Sequence, residues 1–396
     1  MKSATIKDPL IPNPVLTAMA GKDNPYLESA WPASFMEPFL HRADPLADTI
    51  VQQLYAQGRT EAEAAGDPSL RPKYAFLFLS LLINRMSIPD PDVEYPFAAQ
   101  GSKYQFPEPV REALRTFIRE AQKLPVWADS QLIRDGQKLF ANNPLLAYPM
   151  LAFLSLPVLY TCGRGATQVL SLTEQISLKV RRRVVETGSL VMQAMQEGSF
   201  VKMPEHPTLT HPVPVGIEAI LRVRLLHAAT RTIIHEFWQD GIRDREQNRE
   251  VRTYQNKPAD QIWQESWGPP INQQYLAGTL MSFSFLDLYG LETLGVIATP
   301  EEKRGYMHVW NVFGSILGID EAFLKRLESP NDFASTHAKR GTAEEMVACG
   351  QALLTRMSEL NRAYDQEGIE GGRMLTAAII TYISGVIRRY LPILSR

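Results

Sequence analysis

The chain has 396 residues and a mass of 44.6 kDa, and 45% of its residues are hydrophobic, which is ample material for a globular core. Its formal charge is −2 at pH 7, so it lacks the overall basic field that favours nucleic acid or an anionic membrane. The two cysteines lie far apart, which excludes a disulfide framework, a thiolate zinc site, an iron–sulfur cluster and a Cys-x-x-Cys-His haem attachment.

The first nine residues lack the apolar core of a signal peptide. This predicts a cytoplasmic protein, or a secreted one if the numbering begins at a processed terminus. The most membrane-like stretch, residues 143–160, is uncharged but contains three prolines and has the minimum length of a span. Because proline removes backbone hydrogen bonds that lipid cannot replace, we expect a buried, proline-broken helix and no stable membrane span.

Six prolines between positions 9 and 38 predict a loop-rich, loosely tethered arm over residues 1–43. From Asp44, which is a candidate helix cap, apolar residues recur at helical spacing and period-two runs are scarce. Helices are predicted near residues 44–54, 74–86, 110–122, 130–140, 145–160, 172–197, 216–240, 272–286, 300–317, 343–360 and 374–390. The prediction is a mainly α protein in which residues 44–396 form a single helical domain.

The segment around His227 is the first candidate site. On a helix, His227 shares an apolar face with Val223 and Thr230, and Arg224 and Arg231 lie close beside it. An imidazole flanked by two guanidinium groups suits a flat apolar ligand with anionic edges. Haem is such a ligand: its iron would take His227, and its propionates would meet Arg224 and Arg231. The pattern alone favours the alternative, a core histidine with both arginines paired to surface carboxylates.

Arg183 and Thr187 form a second candidate site because they lie one helical turn apart on the same face. Above a haem, this arginine and this hydroxyl could donate hydrogen bonds to bound dioxygen. The alternative is a solvated basic face formed by residues 181–183. Glu186 points away from the pair by about 100°.

Other motifs find less support in the sequence. His235-Glu236 begins like a metalloprotease motif, but Gln239 stands where the second histidine belongs. P-loop, dinucleotide-binding and nucleophile-elbow patterns are missing from the sequence. For His308 and Trp310, which lie on an amphipathic helix, core packing is the first explanation.

Several segments together resemble a known family. They are LPVWAD at 124–129, Arg183-x-x-x-Thr187, RVRLLHAATR at 222–231, PINQ at 270–273, Phe283, residues 291–295, and Trp310-x-x-x-Gly314-x-x-x-Gly318-Ile319. In these motifs the chain is similar to the latex clearing proteins (rubber oxygenases) and the mycophenolate-type prenyl-chain oxygenases. The resemblance covers roughly residues 40–320 and is strongest over 120–320.

The resemblance implies a globin-like helical core with additional helices around a non-covalent b-type haem. By position, it implies that His227 is the proximal iron ligand and that Arg183 and Thr187 lie on the distal side. Latex clearing proteins cleave isoprene double bonds oxidatively. The implied activity is therefore a dioxygenase-type reaction, in which dioxygen cleaves or oxygenates an alkene of an isoprenoid or other small apolar substrate.

Two departures from the family concern rubber cleavage more than haem binding. Rubber cleavers place a lysine immediately before the distal threonine, where this chain has Glu186. They also carry a glutamate about twenty positions earlier, where Thr167 and Gln168 stand, so polyisoprene is not the expected substrate. A haem-binding sensor or carrier without turnover, and a peroxygenase or hydroxylase with the same cofactor, stay open as alternatives.

Overall fold

The structure is a computed structural model, and the part of the chain it describes is mainly helical, as predicted. The described residues are 24–64, 95–97, 102–104, 106–160, 164–172, 180–200, 214–254 and 257–360. The predicted helices at 74–86 and 374–390 lie outside them.

In chain order the helices are α1 (Tyr26–Ser29), α2 (Ala33–Leu40), α3 (Pro45–Ala64), α4 (Glu108–Ala121), α5 (Ser130–Asn142), α6 (Pro144–Met150), α7 (Leu156–Tyr160), α8 (Arg164–Leu172), α9 (Val180–Met195), α10 (Val215–Glu246), α11 (Gln273–Phe283), α12 (Phe285–Thr293), α13 (Pro300–Leu317), α14 (Glu321–Glu328) and α15 (Ala343–Leu360). Two short antiparallel hairpins pair β1 (Tyr95–Phe97) with β2 (Ser102–Tyr104) and β3 (Thr253–Tyr254) with β4 (Lys257–Pro258).

Helices α5 and α13 cross in close contact at the centre of the core. The crossing depends on two glycines, because a Cβ at Gly136 would lie 2.3 Å from the carbonyl oxygen of Gly305. Any larger residue at Gly136 would push the backbones apart. Trp310 and Tyr306, on the same helix as Gly305, are almost fully buried, so α13 is the central element of the core.

The uncharged stretch at 143–160 was predicted to be a buried, broken helix, but it stays helical from Pro144 to Tyr160 and is only partly buried, with Leu145 exposed. A π-helical turn, Leu151–Ser155, joins α6 to α7, and Pro149 lies inside α6 without an amide proton to donate. Among the described residues, no single helix is long and apolar enough to cross a bilayer. Helix α5 and the helical stretch Pro144–Leu159 that follows it have the combined length and composition of a membrane span, but the chain bends by 91° between them.

The predicted loop-rich arm is wrong for residues 24–43, which form α1 and α2 packed against the core. Trp31 and Met36 are completely buried, and the indole nitrogen of Trp31 donates to the carbonyl oxygen of Cys349 at 2.9 Å. Pro25 and Pro32 start helices here instead of preventing them, since they occupy the N-cap positions of α1 and α2. Pro38 lies inside α2, which continues to Leu40. Residues 1–23 of the predicted arm lie outside the described part of the chain.

Other boundaries differ from the prediction in smaller ways. The helix predicted at 272–286 is interrupted at Ser284, which separates α11 from α12. Of the helix predicted at 172–197, the structure describes α9 and, before it, the end of α8. Helix α14 has only eight residues and was not predicted.

Candidate functional site

Helix α10 carries His227 near its middle, and the histidine is half-buried. The face that His227 shares with Val223 and Thr230 is half-buried, and it continues at its two ends into the buried Ile220 and Ile234. Ala228 and Ala229 are fully buried in the core and so do not leave open space for a ligand. His227 therefore lies at the edge of the buried side of α10.

Arg224 pairs with a carboxylate instead of facing an open pocket. Its Nε and Nη2 atoms donate to Oδ2 and Oδ1 of Asp44 at 2.6 and 2.9 Å, and its Nη1 donates to the carbonyl oxygen of Ile316 at 3.0 Å. Both side chains are buried, with 9% and 4% of their surfaces exposed. This fork-to-fork geometry occupies the guanidinium group.

Arg231 makes a second, similar pair. Its Nε donates to Oδ1 of Asp48 at 2.7 Å, and its Nη1 donates to the carbonyl oxygen of Ile271 at 3.2 Å. Burial raises the pKa of Asp48, and the charge and hydrogen bond of Arg231 lower it in part. The structure thus gives Arg231, like Arg224, a carboxylate partner in place of the propionate that the haem interpretation predicted.

Helix α9, which carries Arg183 and Thr187, packs against α10. The turn that follows α9 also lies close to the start of α10, because a Cβ at Gly216 would be 2.7 Å from the Cβ of Ser199. Thr187 is half-buried and Glu186 is exposed, as their helical positions predicted. The side chain of Arg183 lies outside the described part of the chain. The structure therefore brings together the helices of the two candidate sites.

The position where rubber cleavers carry a glutamate has a structural role here. Gln168, on α8, donates from its amide nitrogen to the carbonyl oxygen of Ile262 at 3.0 Å. The chain just before Ile262 in turn packs against α10, since a Cβ at Gly241 would lie 2.3 Å from the amide nitrogen of Asp260. Gln168 thus links α8 to the segment that covers α10.

Two of the family-like motifs meet around Asp44. The side chain of Gln273 donates to the carbonyl oxygens of Ala43 and Gly318 at 2.8 and 2.9 Å and accepts from the amide of Asp320 at 2.8 Å. Gly318 ends α13 with φ of 92°, and a Cβ there would lie 2.5 Å from Oδ2 of Asp44. PINQ and the second glycine of the C-terminal motif therefore enclose the carboxylate that binds Arg224.

The LPVWAD motif also holds the fold together. Asp129 caps α5 with its carboxylate, and its amide donates to Nε2 of His308 at 3.0 Å. Because Nε2 accepts, the proton lies on Nδ1, which donates to Oε2 of Glu328 at 2.8 Å. Arg340 adds a bond to the same carboxylate oxygen at 2.9 Å and one to the carbonyl oxygen of Trp127. His308 is a fully buried core residue, as predicted, with a specific polar partner on each ring nitrogen.

Sequence reasoning missed the partners of the two arginines. The signal that could have found them is a matched spacing: Asp44 and Asp48 are four residues apart, and Arg224 and Arg231 are seven apart, so each pair lies on one face of its helix.

A further buried polar pair lies in the core. The hydroxyl of Tyr306 donates to Oδ2 of Asp287, and both side chains are inaccessible to solvent. Burial raises the pKa of Asp287 to about 8, although the bond from Tyr306 opposes this. Asp287 is therefore mostly protonated at neutral pH. Among the described residues, no group of three or more His, Cys, Asp or Glu side chains could hold a metal ion.

Comparison with known proteins identifies the class of protein. Residues 154–348 match the family model described as "ER-bound oxygenase mpaB/B'/Rubber oxygenase, catalytic domain". One solved structure, described as latex clearing protein LCP in the closed state, is 16% identical, with a TM-score of 0.54 over 87% of this chain and 70% of that chain. At this identity the likeness shows the fold alone. No curated protein sequence gives a significant match.

The fold and the matched segment define a mainly helical oxidoreductase of the oxygenase type. Within that class, residues 154–348 belong to the mpaB/rubber oxygenase catalytic-domain family. The motifs found in the sequence had predicted this family.

Proposed function

We propose that the protein is a haem-b-dependent oxygenase that uses dioxygen to cleave or oxygenate an alkene in an isoprenoid or other small apolar substrate. The observation that carries the proposal is the packing of α9, which bears Thr187, against α10, which bears His227. Both helices lie inside the segment that matches the oxygenase family.

The donor set of α10 fits a haem at the iron and does not supply its propionate partners. The half-buried imidazole of His227 would hold the iron of a non-covalent haem. Arg224 and Arg231 are paired with Asp44 and Asp48, so groups other than these two arginines would bind the propionates. When bound, haem supplies the activation of dioxygen.

The chain's own residues would then control polarity around the reacting oxygen. We assign to the hydroxyl of Thr187 and the guanidinium group of Arg183 the stabilisation of negative charge as dioxygen is reduced. Hydrogen-bond donors held in a dry, prearranged site do this better than water, because they need no reorganisation during the reaction.

The expected substrate is a small apolar molecule. Pro144–Met150 and the turns that follow it are uncharged and keep several apolar side chains half-buried, which suits the wall of a pocket for a hydrocarbon. Glu186 is exposed and Gln168 is bonded to Ile262. This chain thus lacks the lysine and the glutamate of the rubber cleavers at these positions, so a prenyl chain is a better candidate than polyisoprene.

Absorption spectra of the purified protein reconstituted with haem test the cofactor. Spectra before and after dithionite and carbon monoxide should show a Soret band typical of a histidine-ligated b haem. His227→Ala should lose that signature and release haem. His235→Ala is the matched control, because His235 is exposed on the same helix, and it should behave like the wild type. Identical spectra for both variants would refute the assignment of His227.

Turnover separates the proposal from its alternatives. An oxygenase should convert a prenylated small molecule in the presence of ¹⁸O₂ and place the label in the product. Conversion that needs peroxide instead would indicate a peroxygenase. Spectral changes without conversion of any alkene would indicate a sensor or carrier.

A further inference from the structure

We propose that Asp44 and Asp48 are positioning residues for His227, because they set the rotation of α10 about its own axis. This inference rests on the proposed function, in which His227 binds the haem iron. It assigns to the two carboxylates, and to the arginines that they hold, a role in aiming the axial ligand.

Two anchoring points lie on one face of α10. Arg224 and Arg231 are seven residues apart, which is about 700° of helical turn, so their directions differ by only about 20°. Their partners Asp44 and Asp48 are four residues apart at the start of α3. Each pair holds one direction of α10 against α3, and because the two pairs lie about 10 Å apart along the axis, they restrict rotation over the stretch of helix between them.

His227 lies between the two anchors. It follows Arg224 by about 5 Å along the helix axis and is turned from it by about 60°. The imidazole therefore points beside the face that α3 covers, and any rotation of α10 on α3 changes its direction. With the ring about 6 Å from the axis, a rotation of 10° displaces it by about 1 Å. A displacement of this size is large for a positioned ligand.

The burial of the Asp44–Arg224 and Asp48–Arg231 pairs indicates that they fix the position of α10 more than they stabilise the fold. Replacing a buried ion pair by well-packed apolar residues is often neutral for stability, whereas removing one partner leaves an uncompensated charge. Here both arginines are more than nine-tenths buried. Each also donates to a backbone carbonyl, that of Ile316 or that of Ile271, so α10 is fastened to the end of α13 and to the segment before α11.

The atoms around Asp44 leave little space in which the Asp44–Arg224 pair could rearrange. Gly318 lies so close that a Cβ there would be 2.6 Å from Nε of Arg224, and Gln273 ties Ala43 to Gly318. The carboxylate of Asp44 also accepts from the amide of Ala47 at 3.4 Å. The loop that holds Asp44 is thus fixed from both sides.

The test uses the full-length protein loaded with haem. Asp48→Asn keeps the shape of the side chain and removes the charge that meets Arg231. We expect the rate of haem transfer to excess apomyoglobin to rise roughly tenfold, because groups that orient a metal ligand typically contribute 10- to 100-fold to metal affinity. We also expect the iron–histidine stretching band of the ferrous protein in the resonance Raman spectrum to shift or broaden.

Glu236→Gln is the matched control. Arg59 and Glu236 also join α3 to α10, at 3.2 Å, but both are more exposed, and they lie beyond the two anchors. This variant should keep the wild-type rate of haem transfer and the wild-type Raman band. If Asp48→Asn does not fold, Arg231→Lys takes its place, since lysine keeps the charge and loses the guanidinium geometry.

The outcomes separate this inference from the proposed function. If haem binding in the wild type does not depend on His227, the proposed function fails. If it does depend on His227, and Asp48→Asn lowers the melting temperature while its haem transfer stays within twofold of wild type and its Raman band is unchanged, the pairs are merely structural and the positioning role is refuted.

Discussion

The buried carboxyl of Asp287 makes the stability of this protein depend on pH in an unusual direction. Its pKa is about 8 in the folded protein and about 3.9 in an unfolded chain. Because the folded state binds the proton more tightly, this group's contribution to stability is complete below about pH 4 and is lost as pH rises towards 8. At about 1.4 kcal/mol per pH unit, the loss between pH 6 and pH 8 is about 2 kcal/mol.

Asp287→Asn removes this titration while keeping an oxygen that can accept the hydrogen bond from Tyr306. The amide adds donors that the core does not satisfy, but that cost is the same at every pH and cancels when slopes are compared. We therefore expect the free energy of unfolding of the variant, relative to wild type, to rise by about 2 kcal/mol from pH 6 to pH 8.

Urea unfolding followed by circular dichroism at pH 6, 7 and 8 measures this difference. Glu37→Gln is the control, because Glu37 is exposed, and its difference from wild type should not change with pH. If the Asp287→Asn difference is equally flat, Asp287 is ionised in the folded protein at neutral pH and the reasoning about its burial is wrong.

Three further substitutions test the packing of the protein. Gly318→Ala places a Cβ 2.5 Å from Asp44 at a φ of 92°, whereas Gly295→Ala meets a similar φ of 91° with nothing within 4 Å. We expect Gly295→Ala to cost about 1 kcal/mol and Gly318→Ala at least about 2 kcal/mol more, measured by urea unfolding. Equal losses would show that the Asp44–Arg224 pair tolerates a Cβ. Trp31→Phe leaves the carbonyl oxygen of Cys349 without the indole donor, and should lower the free energy of unfolding by about 1–3 kcal/mol. No loss would mean that the segment before α3 contributes little to the fold.

The boundaries of a helix could be predicted from the sequence where capping residues mark its ends. Helix α13 begins and ends where it was predicted, because Thr299 and Glu302 form a reciprocal capping box and Gly318 takes the left-handed conformation at the other end. Asp129 marks the start of α5 in the same way. These signals act within a few residues, so a single sequence shows them.

The prediction of a loop-rich arm was wrong for residues 24–43 for a physical reason. A proline disfavours a helix only when the helix already extends before it, and at the N-cap or first turn its missing amide costs nothing. Pro25 and Pro32 occupy such positions. What holds α1 and α2 in place is the burial of Trp31 and Met36 against distant parts of the chain, and the local pattern carries no information about those partners.

The partners of Arg224 and Arg231 could not be predicted for the same reason, because they lie far away in the sequence. The sequence shows that Arg224 and Arg231 share a face, and although this pattern favours carboxylate partners over haem propionates, it does not decide between them. The choice depends on Asp44 and Asp48, about 180 residues earlier in the chain. The family-like residues Gln273 and Gly318 lie around Asp44, so part of what the motifs encode is the position of α10 and not contact with a ligand. A motif of this kind preserves the packing of the fold and does not by itself determine the substrate. Glu186 and Gln168 take no part in the Asp44–Arg224 and Asp48–Arg231 pairs. The departures at these two positions therefore bear on the substrate, and His227 is the residue to test first.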